Sequence, residues 1–184
     1  MQEVSYHTKA IIGVDPGSPL YMALLSPAGK WVAHAGDDAV TVETMGKTGN
    51  CPKKLAEIAK KWVDEFGGNK RVEVCMEKVH PMPGEGVLSV AKFVGSMWLM
   101  RGIFAALEVP VTLVAPRTWK SVSNLSSAKG MSLARARNLF PDRAWRLKLA
   151  QDHNYAEAAL LAHYLRNQRI IAMKERGKVT KKKF

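Results

Sequence analysis

Apolar positions along the chain fall into short runs of period two and longer stretches of helical period. Lys9 to Val14 is β-branched and closes on Asp15-Pro16-Gly17, which predicts a strand followed by a sharp turn. Leu20 to Leu25 and Lys30 to Ala35, separated by Pro27-Ala28-Gly29, predict two further strands of an antiparallel meander. Asp37 to Asn50 is polar and turn-rich and reads as a loop with a short strand around Val40. In Lys53 to Phe66 the apolar positions Leu55, Ile58, Ala59, Trp62, Val63 and Phe66 share one helical face, and Gly67-Gly68 stops the helix. Val72 to Met76 is a strand ending at Glu77, and Lys78 to Glu85 a proline-containing loop. A long apolar helix is expected over Gly86 to Leu107, a strand over Val109 to Val114, a short basic helix over Met131 to Phe140 and a last helix over Tyr155 to Ile171.

This order, three strands, helix, strand, helix, strand, helices, predicts an α/β fold. The last two strands are joined by a helical crossover and should therefore lie parallel in a five-stranded mixed sheet flanked by helices. It is the order an RNase H-type fold uses. Within the long helix Ala91, Gly95, Gly102 and Ala106 form a stripe of small residues. Two readings stay open for it: tight packing on the sheet, or a helix–helix dimer seam.

Composition narrows the class. The 184 residues, 47% hydrophobic and 24% charged, suit one globular domain and exclude a disordered chain. We expect that domain to span 1–172, with a basic tail over 173–184. Met1 to Thr8 has no apolar signal core, and Lys92 and Arg101 interrupt the longest apolar stretch, so no membrane partner is expected. Cys51 and Cys75 lack metal-site spacing, and Cys75 lies in an apolar strand; a reducing, cytoplasmic compartment fits best. Lys and Arg outnumber Asp and Glu 28 to 16, a net charge of +12, which concentrates polyanions and makes nucleic acid the first partner to consider.

Against that basic background a few acids stand out. Asp15 and Glu77 each close an apolar strand, where an α/β sheet presents side chains to a ligand. Glu157 sits in the apolar segment Ala156 to Leu161, which is costly unless its charge is paired with a base or bound to a cation. His153 shares a helix face with Glu157, whereas Asp152 would point roughly 140° away and can join a site only by preceding or capping the helix. Carboxylates that converge repel, so they persist ionised only around a cation. Oxygen ligands with at most one His select Mg²⁺ or Mn²⁺. Two such ions about 4 Å apart hydrolyse phosphodiesters.

Ile12-Gly13-Val14-Asp15-Pro16-Gly17 resembles the first-strand signature of RuvC-like Holliday-junction resolvases. Val74-Cys75-Met76-Glu77, with Met82 to Val87, is similar to their second acidic motif. Pro116 to Trp119-Lys120, Ser132 to Arg135, Leu139-Phe140-Pro141 and Asp152-His153 with Ala156-Glu157-Ala158 resemble, in order, the remaining motifs of phage-encoded and chloroplast members. The likeness covers Ile11 to Tyr164. It implies a homodimer that nicks four-way junction DNA in pairs, in a bacterial or phage-infected cell or an organelle. It also implies metal ligation by Asp15, Glu77, Asp152 and Glu157, a supporting role for His153, and DNA contacts from Lys78, Lys120, Lys129 and Arg135. Leu20 and Glu85 depart from the family pattern, and Asn154 stands where bacterial members carry their fourth ligand. The competing expectations are an RNase H-fold nuclease acting on other branched DNA or RNA–DNA hybrid, and a non-catalytic binder of branched DNA.

Overall fold

A computed structural model describes residues 9–44, 47–79, 84, 86–125 and 129–181. The strands are β1 (Ala10–Asp15), β2 (Tyr21–Leu25), β3 (Trp31–Ala35), β4 (Thr41–Thr44), β5 (Lys47–Asn50), β6 (Val72–Glu77) and β7 (Val111–Val114). The helices are α1 (Pro52–Glu65), α2 (Val87–Ala106), α3 (Pro116–Val122), α4 (Lys129–Leu139) and α5 (His153–Lys181). One mixed sheet has the order β3-β2-β1-β6-β7. Its first three members pair antiparallel, while β1, β6 and β7 run parallel, as the two helical crossovers require.

The central strands are mostly apolar because both of their faces are covered, Glu73 of β6 being the interior exception, paired with Lys9 and Arg169. Ile12 and Val14 of β1, with Val72, Val74 and Met76 of β6, point to a layer formed by α1 and α2. Ile11 and Cys75 point the other way, to α3, α4 and α5. With a side-chain period of two, Asp15 falls on the same face as Ile11, and Glu77 on the same face as Cys75. Gly13 lies on that face as well. A Cβ added there would stand 1.8 Å from the Ala158 carbonyl oxygen, so only glycine lets α5 sit directly on β1. The small residues Ala158, Ala159 and Ala162 complete this close approach.

Three elements differ from the sequence expectation. The polar stretch expected to be a loop with one short strand around Val40 forms the two-stranded β4–β5 hairpin after a 3₁₀ turn at Asp37–Ala39. Helix α3 was not expected; Pro116 at its first turn supplies the preset φ that starts it. Helix α5 begins two residues earlier than predicted and continues through the basic segment to Lys181 rather than stopping at Ile171. Met82, Pro83 and Glu85 of the loop after β6 lie outside the described residues.

Helix α2 is long and apolar enough, by length and composition, to cross a bilayer, so Lys92 and Arg101 do not rule a span out on those grounds. Its Met97, Met100 and Phe104 pack into the core beside β1 and β6, and Ser96 Oγ lies 2.7 Å from the Gly17 carbonyl oxygen. The small-residue stripe is open: a Cβ on Gly95 or Gly102 would meet nothing within 4 Å. It does not serve packing on the sheet.

The outer strand β3 is guarded by Arg143, whose guanidinium donates to the carbonyls of Trp31 (2.9 Å) and Val32 (2.6 Å). These bonds cover part of a sheet edge that could otherwise template aggregation. Arg143→Met is expected to cost about 1–3 kcal/mol in urea denaturation, the usual loss when charged hydrogen bonds to backbone are removed. A loss under ~0.5 kcal/mol would show that water replaces the guanidinium without cost.

Candidate functional site

Because β1, β6 and β7 are parallel, their C-terminal ends coincide, and the segments leaving them meet at one rim of the sheet. Asp15 ends β1 and Glu77 ends β6, one step beyond the register pair Val14–Met76. Helix α3, leaving β7, carries Trp119 and Lys120 to the same rim. Helix α5 crosses this face and brings Glu157. The Trp119 indole N–H donates to Glu77 Oε2 at 2.7 Å. Glu157 Oε1 accepts the Ser132 hydroxyl at 2.9 Å and pairs with Lys120 Nζ at 3.2 Å.

Burial raises the Asp15 pKa well above its ordinary value; the nearby charges of Glu77 and Glu157 raise it further, while Lys120 lowers it. Three acids from separate elements therefore act on one another, with the Lys120 ammonium among them. This donor set fits a hard divalent cation: its anionic oxygens are crowded and hard, although Lys120 holds one Glu157 oxygen that a cation would compete for. The acids are not closed into a cage, because among the described residues no group of three or more His, Cys, Asp or Glu is close enough to hold an ion as it stands. Glu157 is turned to Lys120 and Ser132, so of the two partners left open by the sequence, a base or a cation, the structure shows the base.

The loop following Asp15 is tied down by Asn50, which sequence reasoning missed. Its amide accepts the Leu20 N–H at 2.9 Å and donates to the Gly17 carbonyl and to Ser96 Oγ, each at 2.8 Å. Nothing in the sequence marks this asparagine, since its partners lie in β1's exit loop and in α2. Trp119 and Ser132 lie in motifs that the sequence analysis singled out, but their pairing with Glu77 and Glu157 depends on how α3 and α4 dock.

Asp152 does not join the acids; its oxygens are engaged elsewhere. It is 4% exposed, and Oδ2 accepts the Leu149 N–H at 2.7 Å, closing the turn before α5. Its Oδ1 lies 3.1 Å from Arg146. Asp152 precedes α5, as the sequence allowed, but its carboxylate caps the 3₁₀ turn Ala150–Asp152 rather than that helix. Arg146 also stacks 3.8 Å from the Tyr155 ring, and both the Tyr21 and Tyr155 hydroxyls donate to Asp37, at 2.7 and 2.9 Å. A polar cluster thus secures the start of α5 against β2. Burial, chiefly, pushes the Tyr155 phenol up to about 12, so it stays neutral and able to donate.

His153 opens α5 one turn before Glu157, with Nδ1 3.0 Å from the Ala150 carbonyl. Asn154 lies beside Tyr21, where it opposes the rise that burial gives the phenol pKa. Lys78 follows Glu77 directly and is exposed, and its backbone N–H bonds the Val114 carbonyl at 2.8 Å. Arg135 is exposed on α4, one turn from Ser132, and adds to the burial and the Arg166 charge that lower the His163 pKa. Lys129 starts α4; its side chain lies outside the described residues. The rim therefore gathers Asp15, Glu77, Glu157, Lys120 and the backbone of Lys78, and leaves Asp152 aside.

No family model and no curated protein matches the chain. Solved structures do. The structure of T. thermophilus RuvC in complex with Holliday junction substrate superposes with a TM-score of 0.60 at 14% identity, over 90% of this chain and 96% of that one. A Thermus thermophilus RuvC structure gives 0.55 and 13% over the same shares, 90% and 96%. With its mixed sheet, flanking helices and strand order, the chain has the α/β, RNase H-like fold of RuvC.

Proposed function

We propose that this protein is a divalent-metal-dependent nuclease that resolves four-way DNA junctions as a homodimer. The observation that carries the reading is the meeting of Asp15, Glu77 and Glu157 on one rim of the sheet in a protein of net charge +12. The similar RuvC structure with a junction substrate supports the choice of a branched duplex over other nucleic acids. Asp15, Glu77 and Glu157 would hold Mg²⁺ or Mn²⁺, two ions being the arrangement that such carboxylate sites use. When bound, the metal would activate water and stabilise the departing oxygen. Lys120 would meet phosphate oxygens with its ammonium, and Lys78 and Arg135, exposed on neighbouring elements, would grip the flanking backbone. The open stripe on α2, beside exposed Trp98, supports a seam between two copies, which would place two cutting sites on one two-fold junction.

The test sets a mobile four-way junction beside linear duplex, flap and RNA–DNA hybrid, each with Mg²⁺ or EDTA. Paired symmetric nicks in the junction, lost in EDTA, are the expected result. Equal cutting of the linear hybrid would turn the reading toward a hybrid nuclease. Tight junction binding without any cutting would mark a passive binder.

A further inference from the structure

We propose that Trp119 and Ser132 are positioning residues, whose indole N–H and hydroxyl set the rotamers of Glu77 and Glu157 for a divalent cation shared with Asp15. The inference rests on the metal-dependent reading above and assigns a task to two residues that bear no charge.

Both side chains are enclosed: Trp119 is 0% exposed and Ser132 2%. An indole offers one donor and no acceptor, so a buried tryptophan must find an oxygen. Here the oxygen belongs to Glu77 rather than to a backbone carbonyl. A serine inside an otherwise apolar contact is similarly costly unless its hydroxyl is used, and it is used on Glu157. Helices α3 and α4 carry no acidic residue of their own, yet each delivers one donor to an acid on another element. Hydrogen bonds to ionised acceptors are short and strong, and they hold a carboxylate in one orientation. Lys120 reaches the same Glu157 oxygen at 3.2 Å but differs in kind. Its ammonium repels an arriving cation, whereas a neutral donor can stay on one carboxylate oxygen while a cation binds the group. Trp119 and Ser132 are therefore suited to persist as the metal-bound site forms.

The experiment is Mn²⁺ titration calorimetry on the full chain without DNA, paired with thermal denaturation, for wild type, Ser132→Ala, Ser132→Thr and Trp119→Phe. Outer partners of metal ligands typically contribute roughly 10–100-fold in affinity. We expect a loss in that range for Ser132→Ala and Trp119→Phe, with Ser132→Thr, which keeps the hydroxyl, close to wild type. Should Trp119→Phe fail to fold, the serine pair decides the matter alone. Unchanged Mn²⁺ affinity in Ser132→Ala, or equal loss in the alanine and threonine variants, would overturn the positioning role and leave the nuclease reading standing. A wild-type protein that binds no Mn²⁺ would overturn both.

Discussion

Asp15→Asn is expected to abolish junction cleavage while leaving the metal-free protein at least as stable as wild type at neutral pH. Losing even an outer partner of a metal ligand costs roughly 10–100-fold, so removing a carboxylate at the centre of the site should exceed ~100-fold in rate. The stability half follows from the sign of the Asp15 shift. Burial, then Glu77 and Glu157, hold its folded pKa well above the ordinary value. The folded protein therefore keeps a proton that the unfolded chain has already released. Stability is greatest below the unfolded aspartate pKa and declines as pH rises from there through the raised folded value. Asparagine removes that decline. Melting temperatures in EDTA across this window should show the variant gaining on wild type as pH rises, and Mg²⁺ should stabilise wild type more than the variant. A variant that still cuts, or that loses stability relative to wild type with rising pH, would remove Asp15 from the site.

The second large effect is structural. Gly13→Ala places a Cβ 1.8 Å from the Ala158 carbonyl oxygen and 2.8 Å from the Ala162 nitrogen, both backbone atoms that no rotamer change can move. Either α5 lifts from β1 or the strand bends, and both open a core in which Ile11, Ala158, Ala159 and Ala162 are buried. The expected cost is on the order of 4 kcal/mol or more, in the class reserved for severe overpacking. For a chain of this size it corresponds to a fall of roughly 8–16 °C in melting temperature. Since α5 carries Glu157, any folded remainder should also lose metal affinity. Thermal denaturation that places Gly13→Ala within ~1 kcal/mol of wild type would show that α5 is not seated on β1 as described.

Much of this architecture is legible in residue order. The strands β1, β2, β3, β6 and β7 and the helices α1 and α2 follow from local periodicity, and each period is a local property that survives packing. The parallel pairing of β6 with β7 follows from the helix between them. Asp15 and Glu77 were recognisable because each ends an apolar run, and a strand end at a sheet rim is a position fixed by chain geometry. Glu157 stood out because an acid among alanines and leucines needs a partner. Helix α3 and the β4–β5 hairpin were missed: α3 has only seven residues, and β4 and β5, unlike the equally short β7, are mostly polar and show no apolar run.

What the sequence by itself determined is thus most of the elements, the strand ends at which Asp15 and Glu77 lie and the net positive charge. Only the tertiary structure decided which side chains share a hydrogen bond. Asp152 was placed among the metal ligands through resemblance, yet Arg146 and the Leu149 amide take both of its oxygens; its neighbours come from a turn whose path no periodicity encodes. Conversely, Trp119 and Ser132 reach Glu77 and Glu157 because α3 and α4 dock against α5, and Asn50 secures the exit of β1 from a hairpin far along the chain. Local pattern sets direction and spacing within one element. Contacts between elements depend on distances that the chain acquires only once its core has closed.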